Sequence, residues 1–367
     1  MPTSLLTALE RDIGARLGAA GVPGCCLAVV DPRGVRWQAA FGHADLRAAR
    51  PADIRTAYHL FSGTKVFTAT AVMQLVESGA LDLDADARRY LPELPLATGL
   101  TLRSLLSHAS GLKETLRGFM AVYFPGDPEP TTAQALANYE IRSRRPPNTR
   151  VEYRNVNFAI LGEIISRMSG LPYRDYVRQR VLAPLGSGAD FEVAPFGARM
   201  ATGYLRRWDP TRALIHLRVR DVVPRLYRGR LGGVLELNDY NLASPSIGGL
   251  IGSVDAFAPF LRAHLNEGAP LVSAASARAM QTLVARGKAG IMSREGVGLG
   301  WKIGRAGGHP FLNHEGNGAG FSSELRLYPD AGLGVVMLMN LSSITKTLKL
   351  AHEVCERIYA SRGALPS

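Results

Sequence analysis

Cysteine is scarce in this sequence: only Cys25, Cys26 and Cys355 carry a thiol, too few for a disulfide framework. Adjacent residues of a strand point to opposite faces, so Cys25 and Cys26 do not pair, and a reducing compartment is expected. Long apolar runs are missing as well. The longest mainly apolar stretch, Val335 to Leu341, falls far short of the roughly 18 residues that cross a bilayer. The opening MPTSLLTALERDIGARL is interrupted by Glu10, Arg11 and Asp12, so it reads as no secretory signal. A cytoplasmic protein without a membrane partner is the expectation. Acidic residues are in the minority, and the net charge of +12 rests mainly on arginine. Most of that arginine is scattered singly, without aromatic interleaving or basic runs, which argues for a solvated surface and against a nucleic-acid partner. The stretch between Leu205 and Arg230 is the exception.

Several catalytic signatures are absent. There is no G-x-S-x-G, which excludes the nucleophile elbow of the α/β-hydrolases, and no G-x-x-x-x-G-K-[ST]. Gly296 to Gly300 and Gly316 to Gly320 read G-x-G-x-G, without the spacing or downstream acid of a dinucleotide site. No H-E-x-x-H or Cys/His cluster occurs, so neither a metal nor a cofactor is expected.

What is present is a pattern of ordinary globular composition, with 46% hydrophobic and 20% charged residues. Leu5 or Leu6, Leu9, Ile13 and Leu17 predict an opening helix behind Ser4. CCLAVV and VRWQAAFG read as a hairpin around Asp31 to Gly34. At the other end, SSELRLYP and GLGVVMLMN predict two strands, followed by a helix over Thr345 to Tyr359. Between them the apolar spacing predicts helices over Thr64–Glu77, Leu102–Ser107, Thr132–Ser143, Asn157–Met168 and Tyr173–Val181. The expected architecture is α+β: an antiparallel sheet built from both chain ends and flanked by helices, with a mostly helical insertion. In residues this places 1–60 and 290–367 in a sheet subdomain and 61–289 in a mainly helical one. A cleft between two such parts is a favoured place for a site.

S-x-x-K occurs three times, at Ser62–Lys65, Ser110–Lys113 and Ser343–Lys346. Its chemistry requires serine and lysine on one face of a first helical turn, where the amine can take the hydroxyl proton. Ser110–Lys113 carries Gly111 inside the motif and reads as a helix end. Ser342 and Ser343 suit the capping of the last helix. Only Ser62 precedes a helix built for burial, with Val66, Ala69, Val72, Met73 and Val76 on one face. Burial and the positive end of the helix both lower the pKa of Lys65, while Ser62 as a simple N-cap is the bland alternative.

With these residues assembled, the chain resembles the serine β-lactamase and penicillin-binding protein superfamily, in its branch of class C β-lactamases and related esterases and peptidases. The resemblance rests on Phe61-Ser62-Gly63-Thr64-Lys65, Leu105 to Leu112, Tyr153-Arg154-Asn155, Gly248-Gly249-Leu250 and His314-Glu315-Gly316, in family order. It implies Ser62 as acylated nucleophile, Lys65 as its activator and Tyr153 as the second half of the base, held partly ionised by cations such as Lys65. It implies Asn155 as an amide orienting Lys65 and substrate, and the backbone N–H groups of Ser62 and Asn317 as an oxyanion hole beside Gly316. His314 replaces the usual lysine of the third motif and Glu315 the usual hydroxyl residue. A histidine is mostly neutral at pH 7, so the fixed cation for a substrate carboxylate is missing and His314 is expected to hydrogen bond to the Ser62 and Tyr153 hydroxyls. The implied substrate is a small ester or amide; a β-lactam, a D-amino-acid peptide or a transfer acceptor is the enzymatic alternative, and a catalytically silent binding protein the other. Ala213 to Val219 alternates as an edge strand would, either a charged edge or an anionic-substrate rim. Oligomeric state is not legible.

Overall fold

Strand β1 (Gly24–Val30) is buried along its whole length, which explains why CCLAVV shows no polar alternation. Cys25, Leu27 and Val29 point into one apolar cluster, and Cys26, Ala28 and Val30 into another on the opposite face. Both cysteines and Cys355 are free thiols. In this computed structural model of the chain, the described residues are 2–114, 118, 121–207, 223–288, 290, 295–343 and 345–366. The segment Ala213 to Val219 therefore lies outside the described residues.

The main sheet is antiparallel and combines both ends of the chain. Its strands are β1, β2 (Val35–Asp45), β3 (Arg50–Pro51), β4 (Ala285–Arg286), β5 (Gly296–Val297), β6 (Lys302–Ala306), β7 (His309–Gly318), β8 (Phe321–Tyr328) and β9 (Leu333–Met339), in spatial order β4-β5-β6-β7-β8-β9-β1-β2-β3. The junction of the two ends is the β1/β9 pair, in register from Cys25 opposite Met339 to Val30 opposite Gly334. Helix α1 (Pro2–Ala19) and the terminal helix α9 (Lys346–Ala360) cover one face through Leu9, Ile13, Leu17, Val354 and Ile358.

The opposite face carries the helices that hold the site. These are α2 (Thr64–Glu77), α3 (Leu102–Leu106), α4 (Thr132–Leu136), α5 (Asn155–Ser169), α6 (Tyr173–Val177), α7 (Val254–Leu265) and α8 (Ala274–Gln281). Helix α2 is buried on nearly every side from Thr64 to Met73, so it runs through the core as a central pillar instead of presenting a single apolar stripe. One sequence expectation needs correction. The helix expected over Thr132–Ser143 ends at Leu136, although its capping box of Thr131 and Gln134 forms. Beyond it the chain turns to pair Ser143 with Leu112, and the Lys113 N–H donates to the Arg142 carbonyl. The mostly helical middle of the chain also contributes strands, Tyr204–Arg206, Tyr227–Leu231 and Val234–Leu237, which form a second sheet with Leu341–Ser342.

Candidate active site

Ser62 sits in a single 3-10 turn, Phe61–Gly63, that leads directly into α2. Phe61 occupies the left-handed region at φ 48°, a conformation that costs a non-glycine residue on the order of 1 kcal/mol or more and persists only where packing enforces it. The packing is visible. The Leu60 N–H donates to the Leu250 carbonyl at 2.8 Å, the Leu60 carbonyl accepts from Ser323 Oγ at 2.6 Å, and the Leu250 N–H donates to Thr64 Oγ1 at 3.1 Å. Ser62 makes no capping hydrogen bond and is only half-buried, so its hydroxyl remains available.

Lys65, fully buried, donates through Nζ to Ser62 Oγ at 3.1 Å and to the Ile247 carbonyl at 2.6 Å. Burial first, and the charge of Lys302 second, push its pKa well below the usual lysine range, against an upward pull from Glu114 and Glu315. A neutral amine has a lone pair, so the same short contact lets the Ser62 proton pass to nitrogen. The other two S-x-x-K occurrences make no such pair. Ser110 Oγ donates to Asn157 Oδ1 at 2.6 Å while Lys113 pairs with Glu140 at 2.8 Å. Ser342 and Ser343 do not cap α9: the N-cap is Thr345, Ser342 Oγ accepts from the Gly320 N–H, and Lys346 is exposed.

Tyr153 brings its ring to the Lys65 ammonium position, with 5.2 Å between Nζ and the ring centroid. The residue is partly exposed, but its hydroxyl is shut off from solvent and meets no partner at hydrogen-bond geometry. Burial raises its pKa further than the neighbouring Ser62 hydroxyl lowers it, and Glu315 and Glu114 raise it again. The expectation of a partly ionised phenol is thereby corrected: the resting Tyr153 is protonated.

His314 is fully buried on β7, its ring 6.1 Å from that of Tyr153. Nδ1 donates to the Glu315 carbonyl at 3.0 Å, which leaves Nε2 as a bare acceptor without a partner. The expected bonds to the Ser62 and Tyr153 hydroxyls are not formed, whereas the expected neutrality holds: burial, then Lys302 and Lys65, drive its pKa well below the ordinary value. Asn155 opens α5, and its N–H donates to the Glu114 carboxylate. Its side-chain Oδ1 is buried and unpartnered and makes no bond to Lys65, whose orientation comes from the Ile247 carbonyl instead.

Gly316 is the point where β7 passes the nucleophile turn. A Cβ there would lie 2.1 Å from the Leu60 carbonyl oxygen, so only glycine fits. The Asn317 side chain turns away, donating to Ser322 Oγ at 2.8 Å and to Thr347 Oγ1 at 3.3 Å. Three further groups share the site. The His108 ring packs 4.4 Å from that of Tyr153, and its Nδ1 accepts the Arg154 N–H at 3.2 Å, which fixes the segment after Tyr153. Lys302 on β6 sits 4.5 Å from the same ring centroid, and Glu114 lies within electrostatic reach of Lys65, Tyr139 and Tyr153. His108 belongs to a motif visible in the sequence. No spacing signal marks Lys302 or Glu114. Among the described residues no cluster of three metal-ligating side chains occurs.

A family model described as Beta-lactamase matches residues 9–353. Penicillin-binding protein 4 of Amycolatopsis lactamdurans is 32% identical over 303 residues, covering 76% of this chain and 71% of that protein. The putative penicillin-binding protein PbpX of Bacillus subtilis is 30% identical over 147 residues, 40% of this chain, a match that spans only 35% of that protein's length. Among solved structures, an octameric penicillin-binding protein homologue from Pyrococcus abyssi superposes with a TM-score of 0.80 at 25% identity, covering 98% of this chain and 79% of that one. D-amino acid amidase from Ochrobactrum anthropi SV3 superposes with a TM-score of 0.80 at 23% identity, covering 96% and 99%. At that identity the second likeness speaks for the fold alone.

Proposed function

Because the chain belongs to the Beta-lactamase family of serine hydrolases, we propose that it hydrolyses a small carboxylic ester or amide through an acyl-enzyme on Ser62. The observation that carries this reading is the 3.1 Å contact between Ser62 Oγ and a fully buried Lys65 that, among the described residues, has no carboxylate at ion-pair distance. Ser62 Oγ attacks the acyl carbon as its proton moves to Lys65 Nζ. The N–H groups of Ser62 and Asn317 receive the oxyanion, and the protonated Tyr153 phenol relays a proton toward the leaving group. Water then attacks the acyl carbon and restores Ser62.

Two features favour neutral acyl groups over β-lactams. His314 carries no charge where the family places a lysine, and Lys302, the cation beside Tyr153, is paired with Glu315 at 2.9 Å. Turnover of short-chain p-nitrophenyl esters should exceed that of a chromogenic cephalosporin by about a hundredfold or more in kcat/KM. Equal turnover of the two would overturn the ester preference and leave the acyl-enzyme chemistry intact.

A further inference from the structure

The third motif of this chain lacks its lysine, yet a lysine stands beside Tyr153. Lys302 belongs to β6, the strand next to β7, and lies in register opposite Asn313, the residue before His314. Its Nζ is 4.5 Å from the Tyr153 ring centroid, and Lys65 Nζ is 5.2 Å from that same centroid. Two buried ammonium groups so close to one ring are too costly to keep charged together. Their partners differ. Lys302 forms an ion pair with Glu315 at 2.9 Å, both side chains being nearly buried. Among the described residues Lys65 donates to two neutral oxygens, Ser62 Oγ and the Ile247 carbonyl.

The Lys302–Glu315 pair is itself anchored. Asn313 Nδ2 donates to Glu315 Oε2 at 3.3 Å and to Glu324 Oε1 at 2.8 Å, and Glu324 pairs with Arg326 at 2.7 Å. These groups hold in place the carboxylate that pairs with Lys302.

We propose that Lys302 supplies, from the neighbouring strand, the fixed positive charge that position 314 does not, and that this charge keeps Lys65 the neutral proton acceptor. Lys302 acts through Lys65 and is a positioning residue in the electrostatic sense; it touches neither Ser62 nor the reacting atoms. Rearranging a cation one strand over also pairs it with Glu315, which explains how the site retains the field of a lysine without offering a free ammonium to substrate. The charged and titratable groups facing Lys65 are Lys302, Glu114, Glu315, His108, His314 and Tyr153. Burial drives the pKa of His108 and of His314 down and that of Tyr153 up, so among the described residues Lys302, Glu114 and Glu315 are the charges that act on Lys65.

The inference rests on the acyl-enzyme reading, and its test separates the two. The rate of Ser62 labelling by a fluorophosphonate probe and kcat/KM for a p-nitrophenyl ester are measured against pH in wild type, Lys302→Met, Lys302→Arg, Glu315→Gln and the double variant Lys302→Met/Glu315→Gln. Removing the cation raises the pKa of Lys65, so the acid limb of both profiles moves up by about one pH unit and the neutral-pH rate falls about tenfold. At higher pH the variant rate returns toward wild type, which a loss of structure does not produce. Arginine restores the wild-type limb, Glu315→Gln moves it to lower pH, and the double variant, which removes the upward pull of Glu315 together with the larger downward push of Lys302, places it between wild type and Lys302→Met. An acid limb unmoved in Lys302→Met and in the double variant overturns the proposal. Failure of the probe to label Ser62 at any pH overturns the acyl-enzyme reading instead.

Discussion

His314 shows how much a single residue's surroundings decide. With Nδ1 committed to the Glu315 carbonyl, the ring offers an acceptor at Nε2 and no charge. Its pKa is driven well below the ordinary value, so the ring stays neutral, and in the proposed mechanism the acid limb of activity belongs to Lys65. The sign follows from the direction of the lysine shift: a depressed pKa leaves the amine neutral and able to accept the Ser62 proton above it, and activity falls as pH drops through it. His314→Ala is expected to lower kcat about tenfold or more with a smaller change in KM, while the acid limb stays in place. A limb that moves with this substitution would return the titrating role to His314. Ser62, Lys65 and Tyr153 were legible in the sequence because their motifs are local and ordered along the chain. The protonated state of Tyr153 was not, because it depends on burial from every side.

At the scale of elements, helix α2 is legible in the sequence over its full range, since Gly63 and Gly79 bracket a run with Val66, Ala69, Val72, Met73 and Val76 at helical spacing. The helix after Thr131 was overextended because its apolar pattern continues through Tyr139, which is buried, although the backbone has already left the helix to pair with Leu112. Lys302 was invisible for a related reason: its place beside Tyr153 depends on the β6/β7 register, which no local pattern states. The crossing of β7 over the nucleophile turn makes its own prediction. In Gly316→Ala the new methyl meets the Leu60 carbonyl, so Leu60 and the Phe61–Gly63 turn must shift. Activity should fall at least about a hundredfold for a stability loss of only about 1–3 kcal/mol, as overpacking typically costs. Chemical denaturation beside ester kinetics checks this, and a fully active variant would show that the close approach does not position Ser62.

For the molecule as a whole, many arginines are paired locally, Arg103 with Asp84, Arg167 with Glu93, Arg178 with Asp190 and Arg47 with Glu236, and the net charge of +12 is the excess that such pairs leave. Such pairs, mostly at the surface, contribute little each. No helix among the described residues is long and apolar enough to cross a membrane. The interior carries a larger pH dependence. His59 stacks between Phe61 and Tyr240, and His264 packs against Phe260 and Trp301; burial pushes both down to about 3. In the unfolded chain each protonates near 6.5, so between those values the unfolded state binds more protons and stability falls as pH falls. Each such histidine costs about 1.4 kcal/mol per pH unit below 6.5. His264→Gln should therefore reduce the stability difference between pH 7 and pH 5 by about 2 kcal/mol in urea unfolding. An unchanged difference would show that His264 titrates alike in both states.

The central claim, that Ser62 is the nucleophile and is activated by a neutral Lys65, is tested most directly by mass spectrometry of the chain after reaction with a fluorophosphonate probe. Wild type should carry one adduct, located on the peptide containing Ser62. Ser62→Ala should carry none and hydrolyse no ester, while Ser110→Ala and Ser343→Ala retain both adduct and activity. An adduct on Ser343, or ester hydrolysis surviving in Ser62→Ala, would contradict the account.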